Sequence, residues 1–411
     1  MNYPALWSND VERRIRKKAS NLDEQVSPKD VRFCRVCIIS NQRPRIVFDA
    51  DGVCSACRYA ERKRSGIDWN KRENELRRVL DGVRDDGPYN VVVPCSGGKD
   101  SAFVAHTLKH KYGMRPLCAT WAPLIYTDIG RRNFDSFVHS GFDVVTATPN
   151  GLMNRKMARL ALEFYGDPFL PFIYGQLAWP MHVALRFGIR LIFAGENGEA
   201  TYGGDTSAND LPSWDAAEWE RIYMKGAGVR KLLGISVASE ACSKEEGASQ
   251  TSFHSLPSFD ARQQAGLQFH WLGYYLPWHP QANFYHAAEH TGFEPNEARS
   301  EGTYSRYASL DDKLDGLHYW FGYLKFGLGR CTSDAAHEIR DGELTREEAA
   351  ALVKRYDGER PTRHLAECLD YLGIDDAHLQ MIENRFRASH LWNGQTLKHA
   401  VYDQVPSDRA A

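Results

Sequence analysis

The residues that could do most chemistry stand in an eight-residue stretch, Pro-Cys-Ser-Gly-Gly-Lys-Asp-Ser, from Pro94 to Ser101. It directly follows the apolar run Val91–Val93. Gly97 and Gly98 permit backbone angles and a close approach that a side chain would forbid. A helix opening at this point offers free N–H groups and the positive end of its dipole to an anion. Ser96 and Ser101 add hydroxyl donors and Lys99 a charge. Asp100 repels a phosphate unless a cation such as Mg2+ stands between them, which makes it a metal candidate. The stretch is neither the Walker pattern nor Gly-x-Gly-x-x-Gly. Taken alone it could be a plain tight turn; a strand before it and a helix after it make it a phosphate cradle.

A second set is Cys34-x2-Cys37 and, after sixteen further residues, Cys54-x2-Cys57. Each pair places two thiolates on one knuckle, and two facing knuckles complete the four-thiolate shell that zinc prefers. Asp51-Gly52 supplies a hairpin turn before the second pair. With all four ligands cysteine, no position stays open for water, so such a zinc is structural. The competing reading is four unrelated buried thiols.

These residues need a frame. Strands are predicted over Val91–Pro94, Pro116–Thr120, Asp143–Thr148 and Leu191–Ala194. Helices are predicted over Ser101–Tyr112, Arg131–Ser140, Leu152–Tyr165 and Gln176–Phe187. Strands alternating with helices imply an α/β fold with a doubly wound parallel sheet. The alternation breaks after Gly204, and residues 205–262 read as an excursion of loops and short helices. Trp271–Trp278 reads as a strand, and the remainder as helical. Thr345-Arg-Glu-Glu348 is a capping box that opens a helix to Tyr356. Four regions follow: an extension over 1–32, the four-cysteine module and linker helix over 33–80, the α/β domain over 81–262, and a helical substrate-side region over 263–411. The basic run Arg13–Lys18 is read as a solvated helix face or a mobile arm, in preference to a docking site.

Across 411 residues, 43% are hydrophobic and 25% charged, which is globular composition with material for a large core. A net charge of −2 supplies no field that would draw the chain to nucleic acid or to an anionic membrane. No apolar run approaches the ~18 residues of a membrane span, and the N-terminus has no apolar leader segment. The expected location is cytoplasmic. Nine cysteines, four clustered and five scattered, suit metal binding and buried thiols better than a disulfide framework.

Ser96–Ser101 resembles the signature of the PP-loop ATP pyrophosphatases. That resemblance implies cleavage of ATP to AMP and pyrophosphate during adenylation of a substrate oxygen, with the turn gripping pyrophosphate. By position it assigns Ala119 and Thr120 to adenine, and Gly195, Glu196 and Asn197, followed by Tyr202-Gly203-Gly204, to a second nucleotide-side loop. The four-cysteine knuckle, the glycine turn, Gly195-Glu196-Asn197 with Tyr202-Gly203-Gly204, Leu272–Trp278 and the block Asp311–Ala349 together resemble the N-acetyl sugar amidotransferases, between roughly residues 33 and 362. Those enzymes serve bacterial surface-polysaccharide and nonulosonic-acid biosynthesis and convert an acetamido group into an acetamidino group. The resemblance implies ATP and Mg2+ beside the structural zinc, with Lys99, Lys325 and Arg330 near the developing charge and Asp100 on Mg2+. The competing reading for Lys325 and Arg330 is pairing with Asp311, Asp312 or Asp315; Asp334, Glu338 and Arg340 could equally form a salt-bridge lattice. His182, His270 and His279 are read as core or rim residues.

The chemistry explains why ATP is needed. An amide oxygen leaves poorly, so ammonia cannot displace it directly. Attack of that oxygen on the α-phosphate gives an O-adenylyl imidate, and AMP then becomes the leaving group. No glutaminase nucleophile is visible in the chain, so a separate glutaminase subunit is expected to supply ammonia. The substrate is expected to be an acetamido sugar, nucleotide-linked or acidic; a homo-oligomer is left open. The alternatives are an RNA thiolase, which would adenylate a base oxygen before sulfur transfer, and a non-catalytic nucleotide-sensing scaffold. Near-neutral charge and the absence of a recognisable RNA-binding module argue against the thiolase.

Overall fold

The computed structural model describes residues 3–19, 28–214, 228–229, 232 and 251–405. Six strands form its central sheet: β1 (Val91–Pro94), β2 (Pro116–Trp121), β3 (Asp143–Ala147), β4 (Leu191–Ala194), β5 (Ser213–Trp214) and β6 (Gln268–Trp271). The first eight helices are α1 (Asn9–Ala19), α2 (Ser55–Ser65), α3 (Trp69–Asp81), α4 (Lys99–His106), α5 (Asp128–His139), α6 (Gly151–Tyr165), α7 (Leu170–Phe187) and α8 (Gly198–Tyr202). Past residue 250 come α9 (Phe259–Gln264), α10 (Leu272–Tyr275), α11 (Pro280–Thr291), α12 (Asp315–Phe326), α13 (Arg330–Asp341), α14 (Arg346–Tyr356), α15 (Leu365–Leu372) and α16 (Asp376–Phe386).

The strand order is β3-β2-β1-β4-β6-β5, parallel except for β5, which pairs antiparallel with β6. β1 lies in the middle, paired to β2 on one side and β4 on the other, and all three of its valines are fully buried. Val91 and Val93 face the α3 and α4 layer, against Leu76, Leu80, Ala102 and Leu108. Val92 faces the opposite layer, against Leu177, Met181 and Ala184 of α7. Burial on both faces is why the strand reads as an unbroken apolar run and not as an alternating one. Because β2 and β4 flank β1 on opposite sides, the loops leaving β1 and β4 diverge at their carboxyl ends. A parallel sheet opens a crevice at such a switch of strand order.

One predicted strand changes its bounds. The strand predicted over Trp271–Trp278 begins earlier, at Gln268, and gives way at Leu272 to the turn α10. Polar Gln268 and His270 hide it in the sequence; His270 is nevertheless buried, its Nδ1 bonded to the Tyr275 hydroxyl at 2.8 Å. The sheet therefore continues past residue 262 through β6. The basic run Arg13–Lys18 lies on a helix with a solvated face, and that helix is tied to the rest of the chain. Arg159 of α6, fully buried, bonds Glu163 and reaches Glu12 of α1 at 2.6 Å, while the run Arg13–Lys18 exposes its basic residues and buries Ile15. Most of the predicted excursion beyond residue 214 lies outside the described residues. Among the described residues, no helix is long and apolar enough to cross a membrane.

α7 approaches β2 very closely at Gly175. A Cβ at Gly175 would stand 1.9 Å from Cε2 of the buried Trp121. Gly175→Ala must push helix and strand apart, and overpacking of this kind costs about 1–3 kcal/mol. Gly151→Ala, where a Cβ meets nothing within 4 Å, should leave stability nearly unchanged. Urea denaturation of the two variants checks the contrast; equal midpoints would contradict it.

Candidate active site

The glycine turn sits at the crevice. Gly97 has φ 84°, and a Cβ there would lie 2.6 Å from Cα of Phe134 in α5, so only glycine fits. Its N–H donates to the Cys95 sulfur at 3.5 Å. Gly98 is the N-cap of α4, which no side chain caps, so the first N–H groups of the helix are left for another acceptor. Lys99, buried at its side chain, places Nζ 2.5 Å from Oδ2 of Asp100. Asn283 of α11 donates to Oδ1 of Asp100 at 3.1 Å. Ser101 Oγ donates to the Gly98 carbonyl at 3.0 Å.

Ser96 to Ser101 line a cavity of about 350 Å³, together with Glu196 after β4, Tyr202 of α8, Gly130 and Asn133 of α5, the loop Ser305–Asp311, and Arg330, Asp334 and Glu338 of α13. Its size is at the small end of the roughly 300–1,000 Å³ usual for small-molecule sites. Gly130 lets α5 press on the loop: a Cβ there would be 2.4 Å from Cα of Asp311. α13 is capped from outside. The carboxylate of Asp357 accepts from the N–H groups of Gly329 and Thr332 at 3.0 Å each. That fixes Arg330 at the first turn of α13, where it pairs with Asp334 at 3.0 Å and donates to the Tyr319 hydroxyl.

The cavity holds more carboxylates than cations. Lys99 and Arg330 face Asp100, Glu196, Asp311, Asp334, Glu338, Asp341 and Glu343. Burial, with Asp100 nearby, raises the Glu196 carboxyl above its ordinary range. Burial and its acidic neighbours push Glu338 up to about 7, despite the bond it accepts from the Tyr304 hydroxyl at 2.6 Å. Burial also raises Asp311 and pushes Asp315 up to about 6. Burial works against the charge of Arg330, but Asp334 and Tyr319 outweigh it and hold that guanidinium protonated. One oxygen of Glu196, Oε2, is buried with no hydrogen-bond partner. A divalent cation would satisfy that oxygen and offset the excess of negative charge, so the donor set fits Mg2+.

The four cysteines converge. Cys34 and Cys57 sulfurs are 3.9 Å apart, Cys37 and Cys54 sulfurs 3.7 Å, and all four are buried. Tetrahedral zinc with Zn–S of about 2.3 Å separates its sulfurs by about 3.8 Å, so the cluster is compatible with structural zinc. The N–H groups of Val36 and Cys54 point at the Cys34 sulfur, at 3.4 and 3.3 Å. The module docks on the C-terminal region. Arg346 donates to the carbonyls of Cys37 and Cys34, both at 3.1 Å, and Arg340 of α13 reaches to 4.0 Å from the Cys37 sulfur. On its other side Arg45 pairs with Glu199 of α8. The module is thereby wedged between α8 and α13, the two helices that bring Tyr202 and Arg330 to the cavity.

Of the residues singled out in the sequence, the structure brings together Ser96, Gly97, Gly98, Lys99, Asp100, Ser101, Glu196 and Arg330. It leaves others outside this cavity. Ala119 and Thr120 are buried in β2, with the Thr120 hydroxyl turned to the Cys95 carbonyl. Gly195 lies under Trp278, and Asn197 caps α8. Lys325 at the end of α12 donates to the Tyr165 carbonyl at 3.0 Å, near Asp167. Arg330 pairs with Asp334, not with the carboxylates of residues 311–315. Asn283 and Tyr307 join the site without a sequence signal, because each arrives from a loop or a helix remote in the chain, and Asp311, read from the sequence as a partner for Lys325 or Arg330, lines the cavity instead.

Residues 301–404 match the family described as LPS biosynthesis protein WbpG-like, C-terminal domain. That match supports a role in polysaccharide biosynthesis. The chain is also 25% identical over 87 residues to an uncharacterized protein of Methanocaldococcus jannaschii, across 21% of this chain. It spans about a third of that relative's length, 31%.

Metal analysis of purified protein should find about one zinc per chain held by four thiolates, and Cys54→Ser with Cys57→Ser should lose it. Full zinc in that double variant would contradict the assignment. The raised Glu338 carboxyl sets a pH dependence. Its folded value, about 7, lies above the ordinary 4.5, so its contribution to stability is present below pH 4.5 and is lost as pH rises through 7. Glu338→Gln should therefore gain stability relative to wild type between about pH 5 and 8, measured by denaturation at each pH. A gap that shrinks with pH would contradict this.

Proposed function

We propose that the chain is an ATP-dependent amidotransferase of polysaccharide biosynthesis that converts the acetamido group of a sugar into an acetamidino group, releasing AMP and pyrophosphate. The observation that carries this reading is one shared cavity. The uncapped glycine turn lines it from one side, and Arg330, Asp334 and Glu338, from the segment matching a polysaccharide-biosynthesis family, line it from the other.

The residues divide the work by their chemistry. The first N–H groups of α4 and the Lys99 ammonium suit the phosphates. Asp100 and Glu196 supply carboxylate oxygens for Mg2+. Bound ATP supplies an electrophilic α-phosphate that the acetyl oxygen attacks, forming an O–P bond as the bond to pyrophosphate breaks. Ammonia then forms the C–N bond as the C–O bond to AMP breaks. Arg330, held charged by Asp334 and Tyr319, is the cation available to the charge that develops on phosphate. Lys325, turned to Tyr165 and Asp167, takes no part in this reading. Ammonia comes from a separate glutaminase: outside the four-cysteine cluster, each described cysteine, Cys95, Cys118, Cys331 and Cys368, is buried and none is presented to solvent as a nucleophile.

Incubation with ATP, ammonium and a panel of N-acetylated nucleotide-sugars should yield AMP, pyrophosphate and a sugar with a new positive charge, read by mass spectrometry. Glutamine in place of ammonium should give nothing. Arg330→Ala should lower kcat by roughly 10²–10³-fold with a smaller effect on ATP binding. Production of ADP and orthophosphate, or thiolation of RNA with every acetamido sugar unchanged, would overturn the reading.

A further inference from the structure

Away from the cavity mouth, four of the 15 histidines of the chain meet on the surface between α4 and α11. His106 and His110 stand four residues apart, the first ending α4 and the second in the π-helical turn Thr107–Lys111 that continues it. His286 and His290 stand four apart on α11, the helix packed along α4. Residues at this spacing share one helix face, so each helix presents a pair to the other. The rings touch: centroids of His106 and His290 are 4.4 Å apart, those of His106 and His110 4.3 Å, and those of His286 and His290 4.5 Å. His106 Nδ1 and His286 Nε2 share a hydrogen bond of 2.9 Å.

We propose that His106, His286 and His290, with His110 beside them, bind a second metal ion, a borderline first-row divalent cation such as zinc, that staples α4 to α11. One ring nitrogen from each of the three lies within 4.8 Å of the others. Imidazole nitrogens around tetrahedral zinc, at Zn–N of about 2.0–2.1 Å, are separated by about 3.3 Å, so modest ring rotations close the site. Opening the bond between His106 and His286 frees both nitrogens once the shared proton sits on the outward nitrogen of its ring. At His106 and His286 the surroundings favour the neutral form that a metal requires. Burial and the neighbouring imidazoles, with Lys109, hold His106 down to about 4, and burial with His290 lowers His286. Glu289, 4.0 Å from His290, is the carboxylate facing the group. Nothing in the amidotransferase chemistry calls on these histidines.

The staple has a consequence for the cavity. α4 begins with Lys99 and Asp100, and α11 begins with Pro280 and Gln281 at the cavity wall and carries Asn283, bonded to Asp100. His106 lies seven residues along α4, about 10 Å from its start. A metal at the far end of both helices fixes their spacing at the near end.

The test uses full-length protein with its four-cysteine cluster filled with zinc, titrated with Co2+ and followed by absorption, calorimetry and thermal melting. The expected result is a further equivalent of Co2+ bound more tightly than about 10 µM, without thiolate charge-transfer bands and with a higher Tm. His290→Ala, an exposed and well-tolerated change, should weaken that equivalent by at least about tenfold, and His286→Ala with His290→Ala should abolish it while the cysteine-bound zinc stays. His279→Ala, in the group His279, Asp341 and Glu343 at the cavity rim, should leave it unchanged. No additional binding in wild type, binding that survives the double variant, or binding lost only in His279→Ala would overturn the proposal.

Discussion

Two places where backbone meets backbone without room for a side chain set the geometry of this protein. At Gly97 the turn after β1 presses on Phe134 of α5, and at Gly130 the start of α5 presses on Asp311. One helix is thus held between the glycine turn and a loop more than 200 residues further along the chain. The cavity exists because these three segments cannot separate without losing the contacts, and cannot approach more closely. A side chain at either glycine would have to displace backbone, which has no rotamer by which to yield.

The second organising feature is charge. Seven carboxylates line the cavity around two cations, and desolvation raises the carboxyls of Glu196, Asp311 and Glu338 above their ordinary range. Such a cavity rejects a bare polyanion and suits one that arrives with a divalent cation. The four-cysteine module supports the same site from behind. It touches no cavity residue through its sulfurs, yet Arg45 ties it to α8, and Arg340 and Arg346 tie it to α13 and α14. Metal-bound thiolates are negative, and the two arginines on the C-terminal side are placed to meet that charge.

How far the sequence discloses this depends on where the signal is local. β1 and β4 fall where the sequence places them, because a run of apolar residues bounded by turn formers is a local property. The capping box at Thr345 forms with both of its reciprocal bonds, again a matter of four adjacent residues. The cysteine spacing and the glycine turn are legible for the same reason. β6 is not, because His270 becomes a core residue only through the Tyr275 hydroxyl. Lys325 and Arg330 look alike in sequence, five residues apart at helix ends. Only packing turns one toward Tyr165 and the other into the cavity. The Arg340 contact with the cysteine cluster, the Asp357 cap on α13 and the histidine group between α4 and α11 join residues remote in the chain, and no window of sequence contains them.

In the proposed function, the acetyl oxygen of a sugar is transferred to the α-phosphate of ATP in the cavity that the glycine turn and α13 share. The most direct measurement labels that oxygen. An N-acetylated sugar substrate carrying 18O in its acetyl carbonyl, turned over with ATP and ammonium in ordinary water, should deliver the label to AMP, with none in pyrophosphate. Label that appears in water, in orthophosphate or in unreacted sugar alone, while the acetamidino product forms, would contradict the account.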